Sequence, residues 1–314
     1  MDLFLPKVSV ITPVFNAEKY IREVILSVCN SNYLNIEYVI INDGSTDNSN
    51  KVIVDTMSGV DRDIIFIDSE NKGEATAVNT AYRSTSGELL LVVNADDPID
   101  VNLISSLVSA FQINQHAVVA YPDWKMIDQF GETIQEFVLP SYSYKSLIAE
   151  FVCLPGPGAM FKKSALQNAL PRGSQFKYVS DFELWLKLAL IGEFIHVPGC
   201  LATWRNHGQN LSFTSTNGQN ASELLELNKD FFNNKNLPPK FKKLRRASRS
   251  YAHYHAASRV INLDNNSIRV LQYIIKSALF LYIPRFEKQV IRRKLFILVI
   301  AQSINVYKKI LSRV

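Results

Sequence analysis

Apolar positions in the first hundred residues follow two alternating rhythms. Val8-Ser9-Val10-Ile11-Thr12, Tyr38-Val39-Ile40-Ile41, Ile64–Ile67 and Leu89-Leu90-Leu91-Val92-Val93 are short, nearly continuous apolar runs, the pattern of buried strands. Between them, Tyr20, Ile21, Val24, Ile25 and Val28 fall at helical spacing, and Gly73–Tyr82 also reads as a helix. Thr46-Asp47 reads as a helix start, because short oxygen-bearing side chains cap free N–H groups. Strands recurring every ~25–30 residues with helices between them predict βαβ units and a parallel sheet. Runs apolar at every position predict helices on both faces of it. In such sheets ligands bind at the carboxyl ends of the strands. The polar clusters Thr12-Pro13, Asn42-Asp43-Gly44-Ser45 and Asn94-Ala95-Asp96-Asp97 follow the strands at those ends.

The rhythm changes after residue 117. Val118–Ala120 and Ile134–Val138 read as strands around a turn at Gln129-Phe130-Gly131, and Pro155-Gly156-Pro157-Gly158 as a loop. Asp181–Leu190 reads as a helix, and Phe194–Val197 and Leu201–Trp204 as short strands. A polar stretch, Asn206–Asn220, precedes a helix around Leu224–Phe232, and Pro238-Pro239 opens the final region. The resulting division is an α/β domain at 1–215 and a mainly helical region at 216–314.

Composition excludes whole-chain disorder: 47% of the 314 residues are hydrophobic and 20% are charged. Charge changes the picture more. The net +5 sums an acidic body and a basic tail. Residues 1–239 carry 17 Lys/Arg against 27 acids, and residues 240–314 carry 17 against two. Three scattered cysteines, Cys29, Cys153 and Cys200, predict neither disulfides nor structural zinc, and suit a reducing compartment. The opening Met-Asp-Leu-Phe-Leu-Pro-Lys lacks the pattern of a secretory signal, and no run of about 18 uncharged apolar residues predicts a membrane span.

Asp96-Asp97 is the strongest local chemical signal. Mg²⁺ and Mn²⁺ take oxygen ligands and bridge carboxylates to substrate phosphates. A turn that uses Asp-Asp-Pro for its geometry is the competing reading. Asp43 offers hydrogen-bond acceptors to a base or ribose, or closes an Asx turn. No GxGxxG follows the first strand, which argues against a nicotinamide dinucleotide fold.

Together, Val8-Ser9-Val10-Ile11-Thr12-Pro13-Val14-Phe15-Asn16, Ile41-Asn42-Asp43-Gly44-Ser45-Thr46-Asp47, Asn71-Lys72-Gly73 and Asn94-Ala95-Asp96-Asp97 resemble glycosyltransferase family 2 over roughly residues 7–210. The resemblance implies an α/β GT-A fold, a mostly parallel central sheet flanked by helices, with a C-terminal helical extension. It implies an inverting transferase that uses a nucleotide-diphosphate sugar, with UDP the expected nucleotide, and Mn²⁺ or Mg²⁺. It places Thr12, Pro13, Asn16, Asp43, Lys72, Gly73, Asn79, Asn94 and Asp96 around the nucleotide. Asp96, Asp97 and His207 fall to the metal, and Asp181 to the catalytic base. Trp124, Gly158 and Trp204 fall to acceptor or sugar. Trp185 shares a helix face with Phe182 and Ala189 and reads as core. Two positions depart from the family's pattern. Asn94 stands at the first acidic position of Asp-x-Asp, and Val78 stands where many members carry an arginine before the Asn.

The tail mixes Lys242-Lys243-Leu244-Arg245-Arg246 and Arg292-Arg293-Lys294 with apolar runs. Such segments suit an anionic membrane surface. A bundle packed on the catalytic domain, or a homo-oligomer contact, is the alternative. No nucleic-acid module is recognisable. The combined expectation is an enzyme of bacterial surface polysaccharide synthesis, cytoplasmic and peripheral on the inner face of the membrane, with a glycan or lipid-linked acceptor. A catalytically weak nucleotide-sugar or glycan-binding protein is the rival, and a nucleotidyltransferase lacks its Gly-rich, Arg-containing opening.

Overall fold

A computed structural model describes residues 5–166, 169–173, 175–208, 210, 218–260 and 267–280. Their contacts divide them into two compact units, one drawn from 1–142 and 153–210, the other from 143–152 and 211–314. In the first unit, β1 (Val8–Val14), β2 (Ile36–Asp43), β3 (Ile64–Ser69) and β4 (Leu89–Val92) alternate with α1 (Ile21–Cys29), α2 (Ser49–Met57) and α3 (Glu74–Arg83). These elements fall where the apolar rhythm predicts them. The strands lie side by side in the order β3-β2-β1-β4, all parallel. All seven residues of β1 are buried, as a central strand covered on both faces requires.

Several elements depart from the sequence expectation. Helix α4 (Leu103–Ile113) follows the acidic loop and was not anticipated, although Leu103, Ile104, Leu107, Val108 and Phe111 line its buried face. Strand β5 (Ala117–Ile127) runs well past Val118–Ala120 and pairs with β6 (Thr133–Phe137). The short β7 (Met160–Lys162) enters antiparallel between β4 and β5, so the sheet is mixed. The two short strands expected around 194–204 are one strand, β8 (Glu193–Arg205). Its pairing with β5 jumps from Pro122↔Val197 to Asp123↔Cys200, leaving Pro198 and Gly199 looped out. Gly199, at φ +120°, supplies the backbone freedom for that bulge. Helix α5 (Ser180–Leu188) lies where the sequence places it. Trp185 is buried and meets Phe161 edge-on, the core position expected of it.

In the second unit, a π-helical turn at Lys145–Ala149 accompanies α6 (Gln219–Asn233), α7 (Pro239–Lys242), α8 (Arg245–Val260) and α9 (Ser267–Leu279). Its core is built of small residues: Ala221, Ala256, Ala257 and Val260 close on Val270 and Ile274. The basic cluster Arg292-Arg293-Lys294 lies outside the described residues. Among the described residues, no helix is long and apolar enough to cross a membrane.

Candidate active site

The loops that leave β1, β2 and β4 meet at the carboxyl edge of the sheet. Pro13 lies beyond the last β1–β4 pair, Ile11↔Val92, where the missing N–H costs that pairing nothing. Thr12 is fully buried and shares a 3.1 Å hydrogen bond with the Tyr38 hydroxyl, so its side chain is engaged inside the sheet. Asn16 adopts φ +52° and ties two loops together. Its Oδ1 accepts from the Thr46 N–H at 2.8 Å, and its own N–H donates to Ser45 Oγ at 3.0 Å. Helix α2 begins at Ser49, later than Thr46-Asp47, because the Asp47 carboxylate accepts from the Ser49 N–H and hydroxyl.

Asp43, at the end of β2, is buried and grips the next loop. Its two oxygens accept the N–H groups of Lys72 (2.8 Å) and Gly73 (2.9 Å). That grip fixes the backbone in which Gly73, at φ +85°, opens α3. Gly44 allows the close approach: a Cβ there would lie 2.5 Å from the Asn71 nitrogen. Asp43, Lys72 and Gly73 are therefore brought together as one structure, as the motif spacing suggested.

The acidic loop separates the two aspartates. Asp97 turns inward and is 4% exposed. Its Oδ1 accepts the Arg205 N–H at 2.7 Å, and its Oδ2 accepts the Asn94 amide at 2.8 Å. Burial, reinforced by the nearby Asp96 charge, pushes its carboxyl well above the usual range. Asp96 stays partly open, and its Oδ2 lies 2.9 Å from His207 Nε2. Of the two carboxylates expected at a metal, that of Asp96 is brought against His207, while that of Asp97 accepts from the Arg205 backbone and from Asn94. Asn94, expected at the ribose, donates its amide to Asp97.

Two residues hold this arrangement from behind. Arg205 at the end of β8 is 1% exposed. Its Nε donates to the Asp96 carbonyl at 2.8 Å and its Nη2 to Glu23 at 2.6 Å. Tyr20 lies under the Arg205 guanidinium and stacks on His207, with ring centroids 5.2 Å apart. Arg205 stands two residues before the expected His207, whereas Glu23 and Tyr20 carry no local signal beyond their helical positions.

Asp181 stands in the first turn of α5, where the helix dipole favours a carboxylate. Its Oδ1 accepts the Phe182 N–H at 2.7 Å. Glu74 at the start of α3 is solvent-accessible, yet protein surrounds it closely enough to desolvate its carboxyl and push it up. Arg172 opposes that shift, while Asp181 and Asp96 add to it. One carboxylate thus feels three residues that lie far from it in the chain. Asn79 holds Arg172 in place by its backbone, donating to its carbonyl at 2.8 Å and accepting its N–H at 3.0 Å. The sequence reading missed Glu74 and Arg172, and no motif marks either one.

The residues expected at the acceptor fall on β5, β8 and the loop between β6 and β7. Trp124 stacks on Phe137 at 4.1 Å and meets Trp204 edge-on at 6.5 Å. Gly158, at φ +76°, packs so tightly that a Cβ would lie 2.6 Å from that of Ala202. Close packing accounts for a glycine there without a ligand.

A divalent ion is implied by the resemblance. Among the described residues, no three His, Cys, Asp or Glu side chains gather to enclose an ion. The Asp96 carboxylate and the His207 imidazole fit a more open site. Mg²⁺ and Mn²⁺ readily take one or two protein ligands and complete their shell with substrate phosphates and water.

Comparison with known proteins fits this geometry. The family model for glycosyl transferase family 2 matches residues 9–169. Chondroitin synthase of Escherichia coli is 27% identical over 209 residues, which is 66% of this chain and 30% of that protein. The chain therefore spans under a third of that relative. An uncharacterised glycosyltransferase of Rickettsia typhi is 28% identical over 229 residues, 69% of each chain. Staphylococcus aureus TarS 1–349, solved with UDP, superposes with a TM-score of 0.64 at 18% identity, covering 85% of this chain and 78% of that one. A mannosyltransferase from Pyrobaculum calidifontis, solved with GDP-Man and Mn²⁺, gives 0.63 at 16% identity, covering 96% and 88%. These structures share the GT-A fold.

Proposed function

This chain belongs to glycosyl transferase family 2, and from that premise we propose an inverting transfer from a UDP-sugar to a hydroxyl of a glycan or lipid-linked acceptor. The carrying observation is that Asp96 and Asp181, far apart in sequence, both act on the single carboxylate of Glu74. This supports a reading in which an ion-binding carboxylate and a base serve one space.

Asp181 takes the proton of the acceptor hydroxyl as that oxygen attacks the anomeric carbon. The new C–O bond forms opposite the bond to the diphosphate, which breaks and carries its electron pair away. Displacement in one step inverts the configuration. Asp96 and His207 would hold the ion, a Lewis acid for the charge on the leaving diphosphate. Asp43, with Lys72 and Gly73, shapes the base and ribose end. Thr12, Pro13, Asn16, Asn79 and Asn94 frame the nucleotide loops, with Trp124 and Trp204 on the acceptor side. The basic C-terminal region brings the enzyme to an anionic membrane face, where surface glycans are assembled on lipid carriers.

The test is nucleotide release from a panel of sugar donors, with and without Mn²⁺, for the wild type and Asp181→Asn. Loss of a positioned base should slow release by ~10²–10⁴-fold. Full activity in the variant overturns the base assignment. Tight donor binding without release favours the rival reading, a binding protein, which Asn94 at an otherwise acidic position motivates.

A further inference from the structure

We infer that Arg172 is the cation that receives the donor's diphosphate, in place of the arginine that the chain lacks at Val78; the inference rests on the transferase reading above.

Val78 is fully buried in the apolar face of α3, so it offers a phosphate nothing. Its neighbour Asn79 instead reaches across 93 residues and fastens the Arg172 backbone with two hydrogen bonds. Helix α3 thereby recruits a guanidinium from a distant loop to the side of the sheet where Asp43 and Asp96 lie. Arg172 itself is 8% exposed, and its Nε and Nη1 are buried without a hydrogen-bond partner. Among the described residues, no carboxylate forms an ion pair with it. A buried guanidinium with unmet donors is unfavourable in isolation, and it becomes favourable when an anion arrives. The charge is spread over the whole planar fork, so a phosphate that meets any edge of it feels all of it.

The surroundings specify which anion. Arg172 acts on Glu74, and so do Asp181 and Asp96. A cation placed among the carboxylates around Glu74 is the balance expected beside a diphosphate whose other charge is met by a divalent ion. An internal competitor is Glu183, beside the same loop, whose Oε2 is also buried without a partner, while its Oε1 pairs with Lys187 at 2.9 Å. Gly173 lets that carboxylate approach the loop, since a Cβ there would collide with it. A purely structural Arg172 would answer to Glu183 and would be indifferent to nucleotide.

Calorimetry on the full chain separates these cases. UDP and GDP are each titrated with Mn²⁺ against their nucleosides, for the wild type, Arg172→Gln and Arg172→Lys. The wild type should prefer the diphosphate to the nucleoside. Arg172→Gln should lose at least tenfold in diphosphate affinity with nucleoside affinity unchanged, and Arg172→Lys should recover part of the loss. Equal losses for nucleoside and diphosphate, or no loss in a variant with wild-type circular dichroism, overturn the assignment and leave the transferase reading standing. If the wild type binds neither diphosphate, both readings fall.

Discussion

Single residues do most of the positioning at this site, and Arg205 is the clearest case. It is a buried cation whose Nε and Nη2 bind the Asp96 carbonyl and Glu23, and whose backbone N–H binds Asp97. Replacing it with Met keeps much of the volume and the backbone bond, but deletes the charge and every side-chain bond. Losing the hydrogen bonds of a buried charged group costs about 3 kcal/mol. Arg205→Met should therefore lower the denaturation free energy by about that amount in urea. Glu23→Gln should cost under about 1 kcal/mol, because Glu23 is 53% exposed and solvent screens it. Equal losses in the two variants would show that the pair itself, rather than the buried arginine, carries the stability. The motifs made Asp43, Asp96, Asp181 and His207 legible, since each follows a strand or opens a helix in a recognisable spacing. They could not show that Asp97 turns inward, because adjacent aspartates look alike until a loop assigns one to the backbone of β8. Glu74 and Arg172 were invisible for a different reason. Their relation is an electrostatic one between positions about 100 apart, with nothing periodic around either to mark it.

At the scale of elements, local pattern and tertiary context divide the outcome. The four parallel strands were readable because each carries a short, nearly continuous apolar run; β1 is buried throughout, while β3 at the edge leaves Ile65 exposed. Strand β8 was not readable as one strand, because the Pro198-Gly199 bulge interrupts the run and only pairing with β5 restores it. Helix α4 carried a readable apolar spacing that the acidic loop before it overshadowed. Helix α8 adds a pH-dependent contact. Its His253 stacks on Phe280 at 5.7 Å and leans on Tyr273, with Arg249 and Lys276 close by. Burial first, then those two cations, lower its imidazole from 6.5 to about 4. The unfolded chain therefore binds the proton between those values while the folded chain does not, so stability falls as the pH drops from about 6.5 to 4. Thermal unfolding between pH 7 and 4 should show a smaller loss for His253→Gln than for the wild type. Parallel curves would exclude a titrating role for this histidine.

The whole molecule is divided by charge as well as by contacts. From Pro239 to Phe280 the described residues carry nine Lys/Arg and no acid, whereas residues 1–239 have ten more acids than bases. Self-repulsion in the second unit calls for a counter-charge, and an anionic leaflet supplies one at ~1 kcal/mol per nearby Lys or Arg. Helix α9 adds an apolar element. Val270 and Ile274 face the core, while Leu271, Ile275 and Leu279 remain 48%, 50% and 69% exposed at four-residue spacing. A helix with one apolar stripe in its bundle and another in solvent suits an interface that is both apolar and charged. Full-length protein should float with vesicles containing phosphatidylserine or phosphatidylglycerol, and much less with phosphatidylcholine alone. Raising the salt from 0.05 to 0.5 M should weaken binding as screening shortens. Replacing Leu271, Ile275 and Leu279 together with Gln should weaken it further at low salt, while nucleotide release in solution stays unchanged. Equal flotation on anionic and neutral vesicles would remove the electrostatic argument. Unchanged flotation of the triple variant would remove α9 from the contact and leave the basic residues as the remaining attachment.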